Sequence, residues 1–571
     1  MTKFEDLLRV LQTNHPPTTV NLIHHYLPEE SALNLADALI GNTTLTSLNL
    51  KHNLFGPTGV TALAKVLGEH PALKILDLSV NKMGDVGVEA LAHAFAGNHV
   101  LKTLNLAGNA ITEDGVKKLT DILPTYPALS ALDLSWNQFG NKGAYVMANA
   151  LINLDRLKTL DLSYNLIDGR GGVSLANALR LEPIGLTTLN LEGNPLGEAG
   201  GQALAQALEK NKTLTHLDLT FTQLGDNAAN AISHFLTHND CLNSLDLTWN
   251  EISDAGGIAL ANALSIHPCL HTLELRHNEI GDATAKEIAK ALIGNTALIK
   301  LNLSGNQITD VGAVALAKAL EKNNSLRSLN LSDNRVKKRG LDAFTKELES
   351  NTTLLEINLG KLTGGSRLYD LLKRNNDIYR TTSLLKEKLE EITSALSKGE
   401  NVQYKVNAFI PLLTAMSSES NESYILDNIK HDLKITILDY YAKVKKEPRD
   451  YQNILRLFLM LPKVEDSFSN IFTHCLGAYY LLPKTEIVSE QTGPLQDFET
   501  VYASKEETFK KVRKKFYDFT IEERTLFLQI QNKLFPQTVR LLDQNLIQLS
   551  LFKKHEKDEM ENIKKRRWCF F

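Results

Sequence analysis

Large aromatic side chains recur at one position of a regular spacing in the first half of this chain of 571 residues. Trp136, Tyr164, Phe221 and Trp249 lie 28 residues apart or close to a multiple of that interval, and His277 follows one interval later. Binding hot spots are rich in Trp and Tyr, and exposed rings lower solubility unless a partner covers them. The spacing therefore predicts a surface that binds another protein. The alternative is that the rings pack along a rim as covered side chains.

An acidic column accompanies the aromatic one, three residues earlier in each unit. Its carboxylates are Asp133, Asp161, Asp218, Asp246 and Glu274, and Asn takes the same position in several other units. A polar and partly acidic stripe of this kind favours a partner with a basic or mixed surface.

The sequence contains no recognised catalytic or cofactor motif. It has no Walker-type glycine-rich loop, no H-E-x-x-H and no G-x-S-x-G. Cys241, Cys269, Cys475 and Cys569 are too scattered for a zinc knuckle or a disulfide framework, which fits a reducing compartment. A net charge of −4 predicts no attraction to nucleic acid, and no apolar run approaches the length of a membrane span. We therefore expect a cytoplasmic binding protein that uses no metal or cofactor.

The elements that position these residues follow from an internal repeat. The pattern L-x-x-L-x-L recurs at steps of 28 residues, with one step of 29, and begins at Leu45, Leu73, Leu101, Leu129, Leu157, Leu186, Leu214, Leu242, Leu270, Leu298, Leu326 and Leu354. Alternating leucines predict a strand in each unit, and apolar residues three and four apart in the second half predict a helix. Strands lie ~4.8 Å apart and helices ~8–10 Å, so the stack curves with a parallel sheet inside. Trp136 and Trp249 would then lie roughly 19 Å apart on the concave face, which suits one helix or loop of a partner.

Asparagine recurs nine positions into the unit, at Asn53, Asn81, Asn109, Asn137, Asn165, Asn194, Asn250, Asn278, Asn306 and Asn334. A buried side-chain amide satisfies backbone groups where the chain leaves the sheet, so we expect this ladder to be structural. The middle units depart from the pattern: Thr222 replaces the Asn, Ala228 and Thr284 replace a Gly, and Leu181–Gly185 forms a modified loop around Pro183. Drift in a tolerant repeat and local reshaping of a binding face both explain these departures.

The pattern L-x-x-L-x-L-x-x-N-x-I/L, followed by G-x-x-x-L-x-x-x-L, resembles the ribonuclease-inhibitor-like class of leucine-rich repeats over roughly the first 360 residues. The resemblance implies an α/β horseshoe solenoid with a parallel sheet inside and helices outside, and an interaction scaffold rather than an enzyme. Bacterial leucine-rich-repeat ubiquitin ligases are similar in this half, but no cysteine here stands in their C-x-D motif. Ran-type GTPase-activating proteins share the repeat class and remain an alternative, with Arg170 and Arg276 as candidate residues.

Three regions are expected. Residues 1–44 form an N-terminal cap with a degenerate first repeat that starts at Pro17, residues 45–362 form the solenoid, and residues 367–571 form an all-α region. A stripe of Leu385, Leu389, Ile392 and Leu396 predicts the first of these helices. Capping boxes at 504–507 and 520–523, together with Pro536, predict further ones, and an unrecognised enzymatic activity in this region stays open.

The tail combines an acidic block with a basic, aromatic end, at Glu556, Asp558, Glu559, Glu561, Trp568, Cys569, Phe570 and Phe571. Cys569 is third from the end, so the prenylation motif fails. The end would contact a membrane surface only weakly, with acylation of Cys569 as a further option. The acidic block resembles the translocation signals of Legionella-type type IV secreted effectors, some of which join leucine-rich repeats to helical segments. This resemblance implies a bacterial effector that enters the host cell cytoplasm and acts on a host protein.

Overall fold

The computed structural model describes residues 2–361 except 14, 97, 182 and 183, residues 365–398, and scattered positions from 400 to 530. The strands are β1 (Thr19–Asn21), β2 (Ser47–Asn49), β3 (Ile75–Asp77), β4 (Thr103–Asn105), β5 (Ala131–Asp133), β6 (Thr159–Asp161), β7 (Thr188–Asn190), β8 (His216–Asp218), β9 (Ser244–Asp246), β10 (Thr272–Glu274), β11 (Lys300–Asn302), β12 (Ser328–Asn330) and β13 (Glu356–Asn358). The helices are α1 (Thr2–Leu11), α2 (Glu29–Leu39), α3 (Gly56–Leu67), α4 (Gly84–Ala94), α5 (Glu113–Ile122), α6 (Gly140–Leu151), α7 (Gly169–Leu179), α8 (Gly197–Leu208), α9 (Gly225–Leu236), α10 (Asp254–Leu264), α11 (Asp282–Gly294), α12 (Asp310–Leu320), α13 (Lys338–Glu347) and α14 (Ser366–Ser397), with a 3₁₀ turn at Leu123–Thr125.

The strands form one parallel sheet in strict chain order from β1 to β13, and one helix separates each strand from the next. Neighbouring strands pair in the register of the repeat, so that Leu132 lies opposite Leu160. The sequence-predicted solenoid is therefore confirmed, including the first unit, whose Val20 pairs with Leu48.

Each unit buries the residues that its pattern marks as apolar. In the unit of β5 the middle strand residue, Leu132, is buried, as is Leu134, while Ala131 and Asp133 lie on the open face of the sheet. Helix α6 turns Ala144, Met147 and Leu151 towards the same core. Because no unit closes its core alone, each one depends on its neighbours for burial.

The asparagine ladder has the structural role that the sequence predicts. The Asn109 side-chain amide donates to Leu78 O at 2.9 Å and to Leu106 O at 3.1 Å, and its Oδ1 accepts from Asn81 N at 2.8 Å. At Thr222 the ladder changes: the hydroxyl lies 2.9 Å from Asn250 Oδ1, and Leu196 N donates instead to the nearby Asn194 O.

A second ladder crosses the array just before the strands, and the sequence analysis missed it. Its members stand three residues before the first leucine of the unit, at Asn42, His70, Asn98, Asn211, Asn239, His267, Asn295, Asn323 and Asn351. Asn295 is typical: its amide donates to Leu264 O at 2.7 Å, and its Oδ1 accepts from Leu298 N at 2.8 Å. In the unit of His267, Nδ1 accepts from Leu270 N at 3.0 Å, and burial lowers the pKa of this histidine.

The chain divides into two compact domains, residues 1–375 and residues 376–571. The first domain ends within α14, where Asn375 continues the second ladder by donating to Leu354 O at 2.8 Å. Arg374 donates to Leu348 O and Asn351 O, both at 2.8 Å. The end of the sheet is thus closed by side chains of a helix rather than by another repeat.

In the second domain, the predicted helix is the later part of α14. Its four apolar side chains are buried, at Leu385, Leu389, Ile392 and Leu396. Described positions further along, such as 453–455 and 525–527, are also helical. The capping boxes, Pro536 and the whole tail lie outside the described residues.

Candidate functional site on the open face of the sheet

The aromatic column follows the strands by three residues and has a left-handed backbone. Its members, at one position per unit, are His24, His52, Val80, Gly108, Trp136, Tyr164, Gly193, Phe221, Trp249, His277, Gly305 and Asp333. Their φ angles lie between 50° and 69°. Glycine adopts this conformation without penalty, whereas any other residue loses roughly 1–2 kcal/mol. The sequence pattern did not predict this backbone, although the glycines at three column positions were a signal for it.

Three of the large rings of the column are open to solvent. Trp136 is 62% exposed, and Phe221 and Trp249 are each 52% exposed, so for these three the alternative of covered rim residues is wrong. Tyr164 is half-buried, because the Trp136 ring stacks on it with centroids 4.0 Å apart and an interplanar angle of 15°. Trp249 stacks on His277 at 4.1 Å and 23°. The structure thus brings the predicted aromatic residues together as two stacked pairs with Phe221 between them.

Each stacked pair ends against a glycine. A Cβ added at Gly193 would lie 2.5 Å from the Tyr164 ring, and one at Gly305 would lie 2.3 Å from the His277 ring. At Gly108 the nearest atom would be Val80 Cγ2, at 3.1 Å. In all three places the side chain of the preceding unit leans over the glycine of the next.

The acidic column has a structural role besides any role in binding. Asp133 Oδ1 accepts from Ser135 N at 2.9 Å, and Asp218 Oδ1 accepts from Thr220 N at the same distance. Asn190 makes the equivalent bond to Glu192 N with its amide oxygen. This shared turn explains why Asp and Asn interchange at the position.

Carboxylates concentrate where the large rings are. Glu192, which the sequence analysis did not single out, stands where most other units carry Ser or Thr, and it accepts a hydrogen bond from the Tyr164 hydroxyl at 2.9 Å. Burial, with smaller contributions from Asp246 and Glu192, raises the pKa of Asp218 to about 6. Burial also raises the pKa of Asp133. Negative charge is therefore held close together on a partly desolvated surface.

At the β10 end of the column, the acidic side chain is paired with a basic one. Glu274 is paired with Lys300, with Oε1 and Nζ 2.7 Å apart. His277 has its pKa lowered, first by burial and then by Arg276, so its ring is neutral near pH 7. Of the predicted acids, Glu274 thus has a cation of its own.

A smaller ring cluster begins the column. His24 and His52 have centroids 4.3 Å apart, and the exposed Tyr26 meets His52 edge-on at 5.2 Å. The repeat register could have placed His24 in the column, since it precedes His52 by one interval.

The remaining candidates are dispersed. Arg170 is exposed at the start of α7 and Arg276 is exposed after β10, four units away. Thr284, at a glycine position, is buried and donates to Asp254 Oδ1 at 2.6 Å, which gives this departure a structural explanation. Pro183 lies outside the described residues. Within the part of the chain that the structure describes, no group of three or more His, Cys, Asp or Glu residues is arranged to hold a metal ion, and no helix is long and apolar enough to cross a membrane.

The family model described as "Leucine Rich repeat" matches this chain at residues 41–64, 70–92, 97–119, 128–148, 157–176, 186–205, 210–233, 238–261, 267–289, 294–317 and 322–344. No curated protein matches it in sequence.

Several solved structures are similar over the repeats. An internalin from Listeria monocytogenes is 20% identical, with a TM-score of 0.41 over 65% of this chain and 92% of that one. The crystal structure of the Rad7 and Elc1 complex in yeast gives 19% identity and a TM-score of 0.40 over 63% of this chain and 90% of that one. Leiomodin-1 actin-binding site 2 gives 24% identity and a TM-score of 0.27 over 29% of this chain and 96% of that one. With its matched repeats and its single parallel sheet in repeat register, the chain contains a leucine-rich-repeat solenoid.

Proposed function

We propose that this protein is an interaction scaffold that binds a protein partner through the open face of β5–β10, with Trp136, Tyr164, Phe221, Trp249 and His277 as the contact residues. The observation that carries the proposal is the exposure of three large rings at backbone positions where glycine would be free of strain. Two Trp residues more than half exposed have the character of hot spots.

The acids around the rings support the same surface. Asp133, Asp161, Asp218 and Asp246 each follow a core leucine on the open face, and Glu274 continues the row. A partner with a basic or mixed surface would be steered to this face and oriented on it.

The test compares full-length wild type with Trp136→Ala/Trp249→Ala in a quantitative pull-down from host-type lysate, followed by a binding titration of each enriched protein. Loss of the two rings should weaken the true partner at least about a hundredfold, since hot spots contribute 2 kcal/mol or more each. Circular dichroism should show an unchanged fold, because both side chains are largely exposed.

The matched control is Tyr145→Ala, which removes an exposed ring from helix α6. It should leave the titration unchanged. A partner that binds wild type and Trp136→Ala/Trp249→Ala equally well would overturn the proposal.

The tail supports a more specific role, that of a bacterial effector delivered into a host cell. Its acidic block, Glu556, Asp558, Glu559 and Glu561, precedes an apolar end, as in the translocation signals it resembles. A translocation assay with the last twenty residues deleted should lose delivery. Undiminished delivery would refute the effector role and leave the binding site unaffected.

A further inference from the structure

The open face between Tyr164 and Phe221 is unlike its neighbours, because the column position there is Gly193 and carries no side chain. The residue before it, Glu192, is fixed by the Tyr164 hydroxyl at 2.9 Å. Asn190 pairs with Asp218 across strands β7 and β8, and Glu192 stands two residues after Asn190, so both carboxylates lie on the open face of adjacent strands. Two carboxylates thus stand close together on the open face, beside the Tyr164 ring that lies over Gly193.

Between the strand and the column residue, the units of β5–β9 carry acids but no Lys or Arg. From the first strand residue to the column residue, the units of β5–β9 contain five carboxylates, Asp133, Asp161, Glu192, Asp218 and Asp246, and no Lys or Arg. One unit further, Glu274 has Lys300 at 2.7 Å, so an acid of this face elsewhere has a cation from the chain itself. The stretch without Lys or Arg coincides with the four large rings.

We propose that the partner places an arginine side chain on the open face beside the Tyr164 ring, where its guanidinium pairs with Glu192 and Asp218 and lies against the exposed Phe221 ring. This deepens the proposed function and rests on it. A guanidinium is planar, forms paired hydrogen bonds with carboxylates and stacks on aromatic faces, whereas an ammonium group does none of these equally well. Charge complementarity and open rings at one place therefore select arginine above lysine.

The probes are three short peptides of one design, acetyl-Gly-X-Gly-X-Gly-amide, with X as arginine, lysine or citrulline. They are titrated into the full-length protein while its tryptophan emission is followed, since two of the three Trp residues, Trp136 and Trp249, flank the site. The arginine peptide should change the emission saturably and bind about fivefold or more tighter than the lysine peptide. Citrulline keeps the shape without the charge and should give no saturable change.

Two sets of variants distinguish a specific effect of Glu192 and Asp218 from the effect of the overall negative charge of this face. Glu192→Gln/Asp218→Asn should weaken arginine-peptide binding about tenfold, because both charged hydrogen bonds are lost. It should still fold, since Gln can accept from Tyr164 and Asn makes the same turn at Asn190. Asp77→Asn, at the equivalent position of β3, removes one charge away from the rings and should change binding by less than about twofold.

Equal binding of arginine and citrulline, the absence of saturable binding, or equal effects of the two sets of variants would each overturn this inference. It fails separately from the proposed function. If Trp136→Ala/Trp249→Ala loses an identified partner while Glu192→Gln/Asp218→Asn keeps it, the proposed binding site is supported and the proposed arginine contact is refuted.

Discussion

Two features of the structure require glycine at position 193. Its φ of +69° favours glycine, and the Tyr164 ring occupies the space that a side chain would need. Gly197, four residues on, has a φ of +60° but no atom within 4 Å of an added Cβ. Substitutions at Gly193 and Gly197 therefore distinguish the penalty of the left-handed backbone from the penalty of displacing the Tyr164 ring.

We expect Gly197→Ala to lower the free energy of unfolding by about 1 kcal/mol, the penalty of a left-handed backbone. Gly193→Ala should lose roughly 1–2 kcal/mol more, because the Tyr164 ring must move. Chemical denaturation measures both values, and near-UV circular dichroism should report a disturbed Trp136–Tyr164 stack only for Gly193→Ala. Equal losses with unchanged spectra would show that the ring is not held against this glycine.

The raised pKa of Asp218 predicts that this carboxyl group stabilises the protein at low pH and not at neutral pH. Its pKa rises from an ordinary value of 3.8 to about 6 in the folded protein, so the folded state binds its proton more tightly than the unfolded state. Its contribution to stability is therefore present below pH 4, falls as the pH rises towards 6 and is absent above that range.

Asp218→Asn should thus raise the free energy of unfolding at pH 7 by roughly 1–2 kcal/mol, after allowance for partial exposure, and by little at pH 4. Denaturation at the two pH values measures the difference. Asp77→Asn, which lacks Glu192 and Asp246 as neighbours, should show a smaller difference. A gain for Asp218→Asn that does not change with pH would contradict the explanation.

Among the elements, the turns that leave each strand depend on the asparagine ladder, and Thr222 is its one substituted member between Asn53 and Asn334. An asparagine there would add an amide donor towards Leu191 O and an acceptor for Asn194 N, as in the other units. We expect Thr222→Asn to stabilise the protein by up to about 1 kcal/mol.

The reciprocal change, Asn165→Thr, removes the bond to Leu134 O from a buried position and the acceptor for Asn137 N, and should lower stability by about 1–3 kcal/mol. Thermal denaturation of both variants tests the pair. If Thr222→Asn destabilises the protein as strongly as Asn165→Thr does, the departure at Thr222 is an adaptation of the site and not drift.

Much of this architecture was predictable from the leucines alone, because a period of two identifies the buried face and a fixed interval identifies the register. The second ladder was not, since five other residues interrupt its run of asparagines and hide the pattern, at His70, Tyr126, Leu154, Pro183 and His267. The aromatic column was found, but its stacking was not, because residue spacing says nothing of backbone φ. Glu192 escaped notice since its role depends on the hydroxyl of a residue one unit away.

Over the whole of residues 1–375, each unit contacts mainly its neighbours, so a local loss should spread only a short distance. Asn375→Ala removes the bonds to Asn351 O and Leu354 O that close the end of the sheet. We expect faster amide hydrogen exchange in β12 and β13, with β5–β7 unchanged, by mass spectrometry. Lys373→Ala, an exposed neighbour on the same helix, is the control, and a uniform increase across the array would contradict nearest-neighbour coupling.

The lean of the column side chains gives the site a direction. Val80, Tyr164 and His277 all tilt towards the following unit, over Gly108, Gly193 and Gly305. Because the three side chains lean the same way, the two directions along the column are not equivalent for a bound chain. A bound peptide and the same peptide with its sequence reversed should therefore differ in affinity even though their composition and charge are identical.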